Sequence, residues 1–207
     1  MLAIAGGSGS GKTSLANEIK NNFCTGVVSV LSMDRYYYSQ SLKASLHPAL
    51  VNFDHPDSLD FGLLVQQLAD LKRGIPIEAP HYDFQTQMRT KNTIAIMPTK
   101  VVIVEGILAL YDKSLRDLLD ISFFLEAPEE LRLERRIERD YQARGRDSQT
   151  QPIQWRSSVQ PMYLTYCEPT RKFAHSIPSI SLQNATVEAL EIMTTKLNLP
   201  ANYFRSV

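Results

Sequence analysis

The chain has 207 residues, with 22 Lys and Arg balanced by 22 Asp and Glu. That balance argues against a nucleic-acid binder working through bulk electrostatics, and no apolar run approaches the ~20 residues of a membrane span. The length suits one domain with a substantial core; its two cysteines, Cys24 and Cys167, lack metal-ligand spacing and read as reduced, buried thiols.

The first expected element is a strand, Leu2–Ala5, so close to the first residue that no leader is expected. It runs into Gly6-Gly7-Ser8-Gly9-Ser10-Gly11-Lys12-Thr13, a complete G-x-x-x-x-G-K-S/T phosphate-binding loop. A helix, Lys12–Phe23, is expected to follow. Glycines let successive backbone N–H groups turn in around an anion, and the helix N-terminus adds partial positive charge. Gly6, Ser8, Gly9, Ser10, Gly11, Lys12, Thr13 and Ser14 are expected to hold nucleotide phosphates, with Lys12 reaching the β/γ-phosphates and Thr13 offering its hydroxyl to Mg²⁺. A Gly/Ser linker would not run straight from an apolar strand into a helix.

Further strands are expected at Val27–Leu31, Val101–Val104, Ile121–Leu125 and Ile177–Leu182, and further helices at Ser58–Arg73, Pro128–Ala143, Pro152–Ala174 and Thr186–Leu197. The alternation implies an α/β fold, a mainly parallel β-sheet flanked by helices. Two regions break it. Residues 33–57 are rich in Tyr, His, Asp and Pro without a period, and residues 75–98 carry three prolines around an alternating stretch, which reads as a small antiparallel β insertion.

In open α/β sheets ligands sit at the carboxyl ends of the strands. Val27–Leu31 leads to Asp34 at one such edge, and Val101–Val104 ends in Glu105-Gly106 at another. One carboxylate there can hold Mg²⁺ and another can accept the proton of an attacking hydroxyl. Between residues 131 and 146 the chain carries six arginines. Arg132 and Arg135, with Glu134, Glu138 and Asp140 nearby, are expected on a solvated ion-pair face. Arg144-Gly145-Arg146 instead reads as a lid at about residues 139–151, bringing guanidiniums over a transferring phosphoryl group.

Together these motifs resemble the uridine–cytidine kinase family. The resemblance rests on the phosphate loop, S-M-D-x-Y-Y at Ser32–Tyr37, N-F-D-H-P-D at Asn52–Asp57, Y-D-F at Tyr82–Phe84, E-G-I-L-A-L-Y at Glu105–Tyr111, R-G-R-D at Arg144–Asp147, and Cys167-Glu168-Pro169-Thr170, in the family's order. It implies one P-loop kinase domain spanning 1–207, with ATP and Mg²⁺ as cofactors and a pyrimidine ribonucleoside as the small-molecule acceptor. It also implies a cytoplasmic homotetramer with no nucleic-acid or membrane partner, and feedback by CTP or UTP. By position, Asp34 resembles the general base and lies near Mg²⁺, with Thr13 and Glu105 as its companions at the metal. Tyr37, Phe53, Asp54, Tyr82, Phe84 and Gln154 match the nucleoside pocket, Asp54 accepting from the ribose hydroxyls. Arg136, Arg139, Arg144 and Arg146 match the basic helix and lid. Of these, Arg139 and Arg144 are expected at phosphate and acceptor, and Arg136 and Arg146 at ATP.

Two departures stand out. Gln87 occupies a position where many members have histidine, and its amide can meet the 4-oxo group of uracil or the 4-amino group of cytosine. Ser179–Asn184 replaces an Arg-Gly-rich turn beside the donor base, which leaves the choice of ATP or GTP open. Tyr36, Tyr37 and Tyr38 are consecutive and cannot all face one pocket. His55 before Pro56 reads as structural, His47, His81 and His175 lack metal-ligand spacing, and Asp60-Phe61-Gly62 reads as a chance spelling of a protein-kinase motif. A kinase for another hydroxylated acceptor, such as nicotinamide riboside or a phosphorylated sugar, is the alternative within this class. A nucleotide-binding switch is the alternative outside it, although the N-K-x-D motif of GTPases is absent.

Overall fold

β1 (Leu2–Gly6) is buried along its whole length, as five apolar or small residues between two sheet neighbours should be. The computed structural model describes residues 1–39, 52–144 and 147–205, excluding the side chains of residues 143 and 144. β1 pairs in parallel with β5 (Val101–Glu105) and β6 (Ile121–Glu126). β2 (Val28–Ser32) flanks β5 and β7 (His175–Pro178) flanks β6, giving the order β2-β5-β1-β6-β7, all parallel.

Side chains alternate along these strands, so the sheet divides its core in two. Leu2, Ile4, Val101 and Ile103 pack against Leu15 and Ile19 of α1 (Lys12–Asn22) and against Ala185, Ala189 and Met193 of α5 (Leu182–Leu197). Ala3, Ala5, Val102 and Val104 face the other way, onto Leu64, Leu68 and Leu71 of α2 (Phe61–Lys72) and onto Tyr36. Truncating one of these leucines to alanine costs about 2–5 kcal/mol. The expected insertion is an antiparallel hairpin, β3 (Ile77–Asp83) with β4 (Met88–Ile96), forming a separate sheet. α3 (Lys113–Arg116) connects β5 to β6, and α4 (Glu129–Arg144) follows β6.

The structure corrects four sequence expectations. The strand at Ile177–Leu182 ends at Pro178: the Ser181 hydroxyl accepts from the Asn184 N–H at 3.3 Å, capping α5 and starting that helix at Leu182. The helix at Ser58–Arg73 begins at Phe61, because Asp60 caps it by accepting from the Leu63 N–H at 3.1 Å; Asp60-Phe61-Gly62 is thus a helix start. The single helix at Pro152–Ala174 is composite, with π turns at Trp155–Val159 and Tyr163–Cys167 and a 3₁₀ end at Glu168–Phe173. Pro161 and Pro169 lack the N–H groups a regular α-helix would use there. Cys167 is buried but Cys24 is exposed.

Candidate active site

The phosphate loop leaves β1 and enters α1 through three glycines with positive φ: Gly6 (142°), Gly9 (77°) and Gly11 (96°). At Gly9 the need is double, since a Cβ would also collide with the main-chain carbonyl of Arg132. Lys12 is buried beneath the loop and its Nζ donates to the Gly7 carbonyl at 2.9 Å. Burial lowers the Lys12 pKa, opposed by the negative charges of Glu105 and Asp34.

β2 and β5 deliver those two acids. Ser32 and Glu105 are register partners at the ends of these strands, and Asp34 follows in the 3₁₀ turn Met33–Tyr36. Glu105 is buried, with the hydroxyls of Ser32 and Thr13 beside its carboxylate. Burial, then the nearby Asp34 charge, pushes its carboxyl pKa up, while Lys12 pulls it down. Gly106 lies too close to the Met33 side chain to carry a Cβ, which seats Asp34 against the end of β5.

Two clefts flank Lys12. One is lined by Ser8, Asp34, Tyr37, Phe53, Asp54, Tyr82, Phe84, Gln87, Arg136 and Gln154, and brings together nearly all the residues expected at the nucleoside. Its aromatic wall is a chain of ring contacts: Tyr37–Phe53 at 5.2 Å and Tyr82–Phe84 at 5.4 Å edge to face, and Tyr37–Tyr82 tilted at 5.6 Å between ring centroids. Asp54 is half-buried; desolvation raises its pKa, with Arg136 opposing. Gln87 enters from the hairpin tip with φ 56°, a left-handed conformation unusual for a side-chain-bearing residue. The second cleft runs from Gly9–Ser14 to Leu125, Arg135, Ser179 and Leu182. Lys12, Thr13 and Arg139 line both.

The arginines of α4 divide their work differently from the sequence expectation. Arg136, expected at ATP, lines the first cleft, donating to the Ser8 hydroxyl at 2.8 Å and to the Gln154 amide oxygen at 3.5 Å. Arg139 donates to the buried Asp140 carboxylate at 2.8 Å. Neither Arg132 nor Arg135 lies on a solvated ion-pair face, which is a correction. Arg132 is buried between the rings of Tyr163 (4.1 Å) and Trp155 (5.1 Å), against the loop at Gly7. Both Nη atoms of Arg135 donate to the Ser179 carbonyl at 3.1 Å. The side chain of Arg144 and all of Arg146 lie outside the described residues, as does His47.

Of the three tyrosines, Tyr37 lines the cleft, Tyr36 is buried with its hydroxyl on Gln67 at 2.6 Å, and Tyr38 lies under Arg89. His55 is a brace: Nδ1 accepts from the Asp57 N–H at 3.2 Å, and Nε2 meets the Tyr166 hydroxyl at 3.0 Å. Asn52, Ile107 and Ser158 also line the first cleft and were not singled out individually. Ser158 had no sequence signal, since it enters through a π turn.

Among the described residues no cluster of three or more His, Cys, Asp or Glu side chains is arranged to hold a metal. The hydroxyl of Thr13 with the carboxylates of Asp34 and Glu105 is instead a sparse set of hard oxygens. Such a set suits Mg²⁺, which keeps several waters and takes phosphate oxygens from its substrate. No helix of the described residues is long and apolar enough to cross a membrane.

A phosphate loop at the head of a parallel sheet, with a second cleft sharing its lysine, defines a P-loop kinase. The chain belongs to the phosphoribulokinase/uridine kinase family, whose profile matches residues 1–186. The uridine kinase of Staphylococcus carnosus is 42% identical over 197 residues, covering 95% of this chain and 94% of that protein. The uridine kinase of Staphylococcus haemolyticus is 41% identical with the same coverage. In fold, the chain matches D-glycerate 3-kinase from Cryptococcus neoformans with a TM-score of 0.66 at 15% identity, over 88% of this chain and 86% of that one.

Proposed function

We propose that this protein transfers the γ-phosphoryl group of ATP to the 5′-hydroxyl of uridine or cytidine, giving the nucleoside 5′-monophosphate and ADP. The observation that carries this reading is the pair of clefts meeting at Lys12, Thr13 and Arg139, one along the phosphate loop and one lined by aromatic rings and the carboxylates of Asp34, Asp54 and Glu105. The ~40% identity to uridine kinases over nearly the full chain supports a pyrimidine nucleoside as acceptor.

In this reading the donor phosphates lie on the N–H groups of Gly9–Thr13, with Lys12 moving from the Gly7 carbonyl to a phosphate oxygen. The nucleoside base lies against Tyr37, Tyr82 and Phe84, with the amide of Gln87 at its polar edge. Asp54 accepts from the 2′- and 3′-hydroxyls, and Arg136 and Gln154 close the pocket beside Ser8. Asp34 accepts the 5′-hydroxyl proton as the oxygen attacks, and Arg139 faces the charge that develops between the clefts. Thr13, Glu105 and Asp34 would hold Mg²⁺, which supplies charge neutralisation at the phosphates when bound. The lid arginines Arg144 and Arg146, a cytoplasmic location and a homotetramer belong to the same proposal through the resemblance.

The test is coupled ADP release from MgATP with uridine, cytidine, their 2′-deoxy forms, adenosine and nicotinamide riboside. Turnover confined to uridine and cytidine is expected. Turnover with nicotinamide riboside and none with a pyrimidine nucleoside would overturn the acceptor assignment.

A further inference from the structure

Arg132 carries a permanent positive charge into the interior beside the phosphate loop. It is 3% exposed, with its guanidinium against Tyr163 at 4.1 Å and Trp155 at 5.1 Å. Only Nη2 finds a hydrogen-bond acceptor, the Gln160 amide oxygen at 3.0 Å; Nε and Nη1 are buried without one. Glu129, one turn earlier on α4, is already engaged: one carboxylate oxygen accepts from Trp155 Nε1 at 2.8 Å and the other from Gln160 Nε2 at 3.0 Å. Among the described residues Arg132 forms no ion pair. Gly7 gives it room, since a Cβ there would collide with Nη1 and Cζ of Arg132. Unlike Gly6, Gly9 and Gly11, Gly7 has no positive φ, so close approach rather than backbone conformation explains this glycine.

A buried cation without an anion is costly, and an apolar side chain of similar volume in its place is often neutral or stabilising. Arg132 touches the loop yet lines neither cleft, so it does not reach a substrate directly. The anion that answers its charge arrives with the donor. Resting on the kinase reading above, we propose that Arg132 is a positioning residue for the donor phosphates: Tyr163, Trp155 and Gln160 hold its charge against the phosphate loop, where it raises polyphosphate affinity through the loop at the expense of the unliganded fold. Protein rather than water fills the space around it, so the charge acts at an effective dielectric well below that of water. A local rule broken in the unliganded protein and satisfied on binding is the mark of a functional device, and removing it exchanges function for stability.

The test is calorimetric titration of the full chain with MgATP, with inorganic tripolyphosphate and with uridine, beside thermal melts without ligand. Arg132→Met places an adaptable apolar side chain against the two rings. It is expected to weaken MgATP and tripolyphosphate by the same factor, about tenfold, and to leave neutral uridine within about twofold. Without ligand it should melt at or above the wild-type temperature. Arg132→Lys keeps the charge and is expected to bind MgATP within about threefold of wild type. Wild-type MgATP affinity in the methionine variant, a lysine variant no tighter than the methionine one, or equal losses for MgATP and uridine would overturn the inference. So would a methionine variant that melts well below wild type or fails to fold, since that is how a purely structural strut behaves. These titrations read binding alone. Absence of turnover with any nucleoside would defeat the kinase reading itself, a result distinct from each of these.

Discussion

Ser32 and Glu105 stand opposite each other at the ends of β2 and β5, which puts the Ser32 hydroxyl beside the buried Glu105 carboxylate. This cross-strand pair fixes Glu105 beside Thr13 and sets the start of the turn that carries Asp34, so the sheet register itself determines where the acids lie relative to Lys12. Ser32→Ala removes the hydroxyl beside this buried carboxyl. We expect it to lower kcat more than it raises KM for the nucleoside. A variant with wild-type kcat would show that Glu105 is placed by other contacts.

Asp34→Asn keeps the shape of the site but removes the proton acceptor. General-base assistance is worth about 10²–10⁴-fold, so kcat should fall by that factor while KM for uridine changes only a few-fold. Steady-state kinetics of the variant decide it, and activity within a few-fold of wild type would remove Asp34 from that role.

Asp54 gives a prediction in pH. Desolvation raises its pKa in the fold above the usual carboxylate value, so the folded protein favours the protonated form. The stabilising contribution is present below the unfolded pKa and is lost as pH rises through the raised value. At pH 7 the ionised Asp54 therefore costs stability, which Asp54→Asn relieves. Thermal melts without ligand should show the variant more stable than wild type at pH 7, with the gap narrowing toward pH 4. The same variant should lose ribose-over-deoxyribose discrimination. A gap that widens toward acid would contradict the sign of the shift.

Gly9→Ala should abolish nucleotide binding in a folded protein. The new Cβ meets the Arg132 carbonyl, which is helix backbone and has no easy way to yield, at a residue already at φ 77°. Titration with ATP should show binding weakened by more than about a hundredfold, equal to roughly 2.7 kcal/mol, while far-UV circular dichroism remains native. Retained ATP affinity would mean the loop reaches its anion from another conformation.

The parts of this molecule legible in its sequence are those whose partners lie close along the chain. The phosphate loop is one uninterrupted strand, turn and helix start, Glu105 ends its own strand, and Asp34 lies two residues past the end of β2. The packing of Arg132 and Arg135 is hidden in the sequence because their partners are remote: Tyr163 and Trp155 for one, Ser179 for the other. Mixed charges at helical spacing look the same whether the face is wet or packed on aromatic rings. Ile180 and Leu182 made a turn look like a strand, since apolar character alone does not reveal that both remain exposed. The irregular helix at 151–173, which carries Gln154 and Ser158 to the acceptor cleft, depends on proline placement that a smooth helical pattern conceals.

The central claim is that donor and acceptor occupy adjoining clefts at once, so that the phosphoryl group passes directly between them across Lys12, Thr13 and Arg139. Initial rates measured over a grid of uridine and MgATP concentrations test it most directly. Intersecting double-reciprocal lines, the signature of a ternary complex, are expected; parallel lines, which require a phosphorylated enzyme intermediate, would contradict it.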